Sequence, residues 1–245
     1  LDKIKVGAVS YLNTKPLLYG FNKSAILENR MTLVEDYPAN IAALLMNGSI
    51  DIGLVPVAII PKLANHYVIG NHCIAATKAV ASVCLFSNVP LQEIDTIILD
   101  YQSKTSIALC KLLCSAYWRI TPKFEAASQN YINEIGGTAA AVVIGDRAFL
   151  LKNKFAFEYD LASEWIAFTA LPFVFAAWVA NKKISEQFIT QFDALQMVGL
   201  NNLPAVIAEN PYTNYNLHKY YTENISYTFS TDKYAGMKKF LSLIV

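Results

Sequence analysis

The chain reads as an α/β protein of two lobes, each a mostly parallel sheet flanked by helices. Three observations carry this reading. Short apolar runs alternate with helical stretches along most of the 245 residues. The alternation breaks off and restarts near Asp95, and the last helices have no strands between them. Alternating strands and helices build parallel sheets through right-handed crossovers, covered on both faces.

The elements follow in order. Ile4–Val9 is a strand whose apolar run ends abruptly in Ser10, Tyr11, Asn13 and Thr14, and Pro16 then opens a short helix over 16–21. Proline is tolerated in a first helical turn because its missing N–H would be unsatisfied there anyway. A second strand is expected at 33–35, followed by a helix at Pro38–Met46 closed by Asn47-Gly48, with Gly48 as its left-handed cap. A strand at 50–55 stops at Pro56, and a short helix covers 58–64. Strands at 73–76 and 80–86 leave this first unit. The second unit opens with a strand at 95–99 and a helix from Ser103 to about Trp118, then a strand at 124–126, a helix at 129–135 and a strand at Ala139–Ile144. A strand at 173–179 precedes helices at 185–198, 204–209, 217–223 and 232–243.

Two α/β units joined by two crossings, with the terminal helices returning to the first, is the plan of a type II periplasmic-binding-protein fold. Residues 1–86 and 177–245 are expected to form lobe one and residues 87–176 lobe two, with a ligand cleft between them.

Composition narrows the function. Hydrophobic residues make up 54% and charged residues 16% of the chain, as expected where strands are buried on both faces. The longest apolar runs, such as Phe173–Ala180, are far too short to span a bilayer. A net charge of +1 with no basic run argues against nucleic-acid binding. The cysteines at 73, 84, 110 and 114 form no Cys-x-x-Cys pair and read as buried structural thiols in a reducing compartment. No apolar leader precedes Ile4, so a cytoplasmic location is expected. Nothing in the sequence sets an oligomeric state.

Polar residues at the ends of strands are where open α/β sheets hold small ligands. Ser10, Tyr11 and Asn13 stand at the first such end, and Ser103, Thr105 and Ser106 open a helix after the strand at 95–99. Hydroxyls at a helix start make either an anion cradle or an ordinary N-cap. Gly145 and Asp146 end the strand Ala139–Ile144, where Gly145 lets a ligand approach the backbone and Asp146 caps the next helix. Asp51 reads as a structural hydrogen-bonding group near the cleft. His66, His72 and His218 lie in loop-like or polar helical segments without metal-ligand spacing, so no metal is expected. No Walker loop, Rossmann glycine fingerprint or Gly-x-Ser-x-Gly is present, so no nucleotide cofactor or serine nucleophile is expected either.

At Ser10-Tyr11-Leu12-Asn13-x-x-Pro16-Leu17 and Asp51-Ile52-Gly53-x-Val55-Pro56 the chain resembles the chorismate dehydratases of the menaquinone-biosynthesis family, which serve the futalosine route. The resemblance continues through Ser82-Val83, Ser103-x-Thr105-Ser106, Ile144-Gly145-Asp146 and Leu171-Pro172-Phe173-Val174-Phe175-Ala176-x-Trp178. The sister 1,4-dihydroxy-6-naphthoate synthases open instead with Ser-Pro-Cys-Pro-Asn-Asp-Thr and use a catalytic histidine, and neither feature matches here. One departure stands out. The family has a glycine in the loop before the Ser-Val pair, where this chain reads Ala76-Thr77-Lys78-Ala79-Val80-Ala81-Ser82.

The resemblance implies dehydration of chorismate to 3-[(1-carboxyvinyl)oxy]benzoate, with Asn13 and Ser82 at the reacting centre. It also implies that the substrate's own enolpyruvyl carboxylate takes the proton, since neither an amide nor a hydroxyl is a base at neutral pH. Ser10, Tyr11, Ser103, Thr105, Ser106, Gly145 and Asp146 are the expected substrate-binding residues, with no cofactor. The contrasting expectation is a non-catalytic binding protein for a small carboxylate.

Overall fold

The computed structural model describes residues 3–24 and 29–244. Strands β1 (Ile4–Val9), β2 (Met31–Asp36), β3 (Ile52–Pro56), β4 (Tyr67–Ala76), β10 (Phe173–Ala180) and β11 (Ser226–Thr228) form one sheet, in the order β11-β4-β10-β3-β1-β2. Strands β5 (Val83–Ser87), β6 (Thr96–Leu99), β7 (Lys123–Ala126), β8 (Ala139–Ile144) and β9 (Phe157–Asp160) form the other, in the order β7-β6-β8-β5-β9.

Both sheets are mixed, which corrects the expectation of mostly parallel ones. Pairing is parallel only across β2-β1-β3 and β7-β6-β8, and antiparallel elsewhere. Strands β4, β5, β9 and β10 flank the two places where the chain passes between sheets. No helical crossover ties such strands to a neighbour, so antiparallel pairing is open to them. For the same reason β5, expected in lobe one, pairs in the second sheet, and the start of β10, expected in lobe two, pairs in the first.

Burial explains the strand positions. All eight residues of β10 are buried between β3 and β4, as a continuous apolar run requires of a central strand. The aromatic rings of Phe173 and Trp178 are fully enclosed there, whereas Phe175 faces the cleft described below.

Helices α1 (Lys15–Leu18) and α2 (Pro38–Met46) carry prolines in their first turns. Gly48 has φ +77° after α2, the left-handed conformation expected of its cap. The second sheet carries α3 (Lys104–Leu112), α4 (Asp146–Phe149) and α5 (Leu161–Thr169). Helix α3 runs on into a π-helical turn, Leu113–Trp118. Of the terminal helices, α6 (Glu186–Leu200) packs on α1 and β4, and α9 (Thr231–Ile244) on β10, so they return to the first sheet as expected. Between them lie α7 (Leu203–Glu209), α8 (Leu217–Lys219) and a second π-helical turn, Tyr220–Asn224.

Smaller departures have local causes. The stretches expected as helices at 58–64 and 129–135 are 3-10 turns, Val57–Lys62 and Tyr131–Glu134. Strand β9 and helix α5 escape sequence reading because β9 is short and only half-buried, leaving little apolar alternation to detect. All four cysteines are free and buried, as expected.

Candidate active site

The ends of β1 and β3 in the first sheet face the start of α3 and the end of β8 in the second. Between them lies a cleft with about 530 Å³ of empty space, part of it continuous with solvent. That is the size of a small-molecule site. Tyr11, Asn13, Ser82, Ser103, Ser106 and Gly145 line it, together with apolar residues that include Phe175. The described lining residues carry no charge.

Asn13 lies in the 3-10 turn Leu12–Thr14 that follows β1. Its Oδ1 accepts from the Thr14 hydroxyl at 3.2 Å, and its backbone carbonyl accepts from the Tyr227 phenol at 2.8 Å. With Oδ1 engaged, the amide acts through its N–H groups, toward the Tyr220 phenol and the cleft. Ser82 precedes β5, and its Oγ accepts from the Tyr220 phenol at 2.8 Å. Ser103 caps α3 through the Ser106 N–H at 3.1 Å and donates its own hydroxyl to Ser106 Oγ at 2.9 Å. Asn13, Ser82 and Ser106 thus share one property: an acceptor position is already filled from the protein side. What they offer the cleft is hydrogen-bond donation, beside the positive end of the α3 dipole.

Gly145 holds φ +66°, and a side chain there would press on the Tyr11 ring at 3.2 Å. Its N–H donates to the Ser82 carbonyl at 2.8 Å, which ties the end of β8 to Ser82. The Tyr11 phenol donates to Gln102 Oε1 at 2.5 Å, and Arg147 donates to that same oxygen at 3.0 Å. Arg147 also pairs with buried Asp100 at 2.6 Å, an anchor completed by the Tyr131 hydroxyl at 2.6 Å. Burial pushes the Tyr11 phenol well above its ordinary value, so it remains a donor.

Three expected site residues lie outside the lining. Ser10 is exposed, with its N–H donating to the Asp36 carbonyl, because it directly follows β1 beside the end of β2. Thr105 points away from the cleft, and its Oγ1 accepts from the Ala58 N–H at 3.2 Å, across to the turn after β3. Asp146 is a bridge between the units: its Oδ1 accepts from the Leu12 N–H at 3.3 Å. Burial pushes its carboxyl up to about 6, against that hydrogen bond and the charge of Lys15, which both pull it down.

Two further corrections concern position. Asp51 directly precedes β3, where it accepts from the Lys5 N–H at 2.9 Å and pairs with Lys182 at 2.6 Å, at the far end of the strands from the cleft. His72 is buried on β4, with Nδ1 3.1 Å from Asp193 Oδ1, rather than in a polar loop. Among the described residues no group of three His, Cys, Asp or Glu side chains could hold a metal ion.

Sequence reading missed Gln102, Arg147, Tyr220 and Tyr227. Gln102 sits directly before Ser103 in the same strand-to-helix turn, so its place was within reach. The two tyrosines carry no local signal, because they arrive from the far end of the chain.

These features define a two-lobed fold of the periplasmic-binding-protein type, with an uncharged, donor-rich cleft between mixed sheets. A family model described as menaquinone biosynthesis matches residues 4–245, and the chain belongs to that family. Its reaction is of the chorismate-dehydratase type, a lyase reaction.

Solved structures share the fold. Protein AF1704 from Archaeoglobus fulgidus superposes with a TM-score of 0.78 at 11% identity, over 98% of this chain and 96% of that one. An ABC transporter protein from Parabacteroides distasonis gives 0.66 at 16% identity, over 99% and 91% of the two chains. The periplasmic aliphatic sulphonate binding protein SsuA from Escherichia coli gives 0.62 at 14% identity, over 99% and 86%. At such identities the likeness is one of fold alone. Among the described residues no helix is long and apolar enough to cross a membrane.

Proposed function

We propose that the protein binds chorismate in this cleft and converts it to 3-[(1-carboxyvinyl)oxy]benzoate and water, in the cytoplasm and without a cofactor. The observation that carries the reading is the set of donors from Asn13, Ser82 and Ser106 around one uncharged cleft. Such a site suits an anionic substrate whose leaving group is an oxygen, and it contains no base of its own.

The reaction breaks the ring C3–H and C4–O bonds of chorismate and forms the aromatic ring. The substrate's enolpyruvyl carboxylate takes the C3 proton, and the C–H electron pair forms the new ring double bond as the C4 hydroxyl departs. That oxygen takes up the proton and leaves as water, which regenerates the carboxylate. Asn13 and Ser82 stabilise the departing oxygen by donation, a contribution of roughly 2.7–4 kcal/mol per donor in related oxyanion sites. Ser106 and the start of α3 hold one carboxylate, and the backbone at Gly145 lies beside the other. The bridges from Tyr11 to Gln102 and from Leu12 to Asp146 keep the two units together over the substrate, excluding water.

The test is incubation of the purified protein with chorismate, followed by ultraviolet absorbance of the benzoate ring and chromatography of the products. Accumulation of the enolpyruvyl benzoate is expected. Chorismate bound but recovered unchanged would mark a binding protein, and turnover only of a cyclic futalosine product would mark the naphthoate synthase. Either result overturns the reading.

A further inference from the structure

We propose that Tyr220 is a positioning residue of the dehydration: its phenol fills an acceptor site on Ser82 and thereby turns the Ser82 O–H into the cleft. The inference rests on the functional reading above, and it adds a residue outside every motif that carries the family resemblance.

A serine hydroxyl has one proton to give and two lone pairs to receive with. Left alone, it rotates to suit whichever neighbour is nearest. Here the Tyr220 hydroxyl donates to Ser82 Oγ at 2.8 Å, and among the described residues the Ser82 side chain makes no other hydrogen bond. Tyr220 is fully buried and Ser82 is 1% exposed, so bulk water cannot compete for either group. With one lone pair occupied from behind, the Ser82 proton has the cleft left to donate into.

The phenol is itself held. Its ring meets Phe149 edge-on at 4.9 Å between centroids and Tyr215 at 6.1 Å. Tyr220 opens a π-helical turn, a wider coil than an α-helix and one that often redirects side chains at functional sites. The same turn is pinned to the loop before Ser82 by Asn224, whose Nδ2 donates to the Ala79 carbonyl at 2.9 Å. Three residues after that turn, Tyr227 donates to the Asn13 carbonyl at 2.8 Å. The segment 220–227 therefore grips both residues of the proposed reacting centre, one from each side of the cleft. Burial also pushes the Tyr220 phenol upward, so it stays protonated and able to donate.

The test is a double-mutant cycle on chorismate turnover with Tyr220→Phe, Ser82→Ala and the combined variant. Tyr220→Phe keeps the ring contacts and removes only the hydroxyl. Its kcat should fall at least about tenfold, or about 1.4 kcal/mol, with KM within about threefold of wild type. The combined variant should be no slower than Ser82→Ala, because Tyr220 acts through the serine. Wild-type kcat in Tyr220→Phe, or losses that multiply in the combined variant, overturns the inference while the functional reading stands. A wild-type protein inert toward chorismate overturns both. If Tyr220→Phe fails to fold, 3-fluorotyrosine at position 220 preserves the shape and sharpens the donor. A changed kcat that disappears in the Ser82→Ala background then supports the inference, and an unchanged kcat overturns it.

Discussion

The carboxylate of Asp160 accepts the Ala81 N–H at 2.7 Å, and Ala81 holds φ +65° immediately before Ser82. The family's loop glycine is missing from this chain, and the left-handed residue of the loop is an alanine. Such a conformation costs a residue with a side chain roughly 1–2 kcal/mol. Asp160 offsets that strain by also receiving the N–H groups of Val80, Ala162 and Ser163, which makes it both the cap of α5 and the clamp of the Ser82 loop. Asp160→Ala should therefore lower the unfolding free energy by about 2 kcal/mol in urea titration. Ala81→Gly should be neutral or stabilising by up to about 1 kcal/mol, since relief of strain works against the greater freedom of glycine when unfolded. A clear loss of stability in Ala81→Gly would contradict the strain.

Asn13 supplies donation to the cleft because its Oδ1 is already engaged by Thr14. Asn13→Asp replaces the donor by an acceptor, and Asn13→Ala removes it. Both should reduce kcat by about 10²-fold or more, the loss typical of a missing oxyanion donor, while circular dichroism and melting stay near wild type. Turnover close to wild type in either variant would remove Asn13 from the chemistry.

Asp146 makes the stability depend on acidity. Its folded-state value, about 6, lies above the ordinary 3.8 because burial disfavours the charge. The folded protein therefore binds this proton more readily than the unfolded chain does. The contribution is fully present below about pH 4 and is lost as pH rises through about 6. Wild-type stability measured against Asp146→Asn should thus decline between these limits and level off above them. A constant difference across the range would show that Asp146 does not titrate there.

Gly145 meets the Tyr11 ring where any side chain would need room, at a φ that residues with side chains rarely adopt. Gly145→Ala should cost roughly 1–3 kcal/mol of stability. It should also raise KM for chorismate by displacing Tyr11 from Gln102. Unaltered KM and melting temperature would mean that the contact is slack.

Local signals were strong wherever one chemical feature settles one structural choice. The run Ile4–Val9 is a strand with the bounds its apolar pattern marks, and Pro38–Met46 is a helix because proline starts it and Gly48 can turn left-handed after it. The cleft residues Tyr11, Asn13, Ser103, Ser106 and Gly145 were legible for a related reason, since a strand that ends in polar groups places them at the sheet's edge. Ser82 was legible through family resemblance. Thr105 was indistinguishable in sequence from its neighbours Ser103 and Ser106, because which side of a first helical turn faces the ligand depends on what packs behind it. Here that neighbour is Ala58.

By itself, then, the chain determined its alternating elements, the polar strand ends and the family to which it belongs, all of which depend on residues close together in sequence. Tertiary structure alone decided the direction of β4, β5, β9 and β10, the use of Asp146 as a bridge, and the meeting of Tyr220 with Ser82 across 138 positions. Those outcomes come from the closing of long loops and the packing of distant surfaces. No local propensity encodes them, because the partners become neighbours only when both sheets are built.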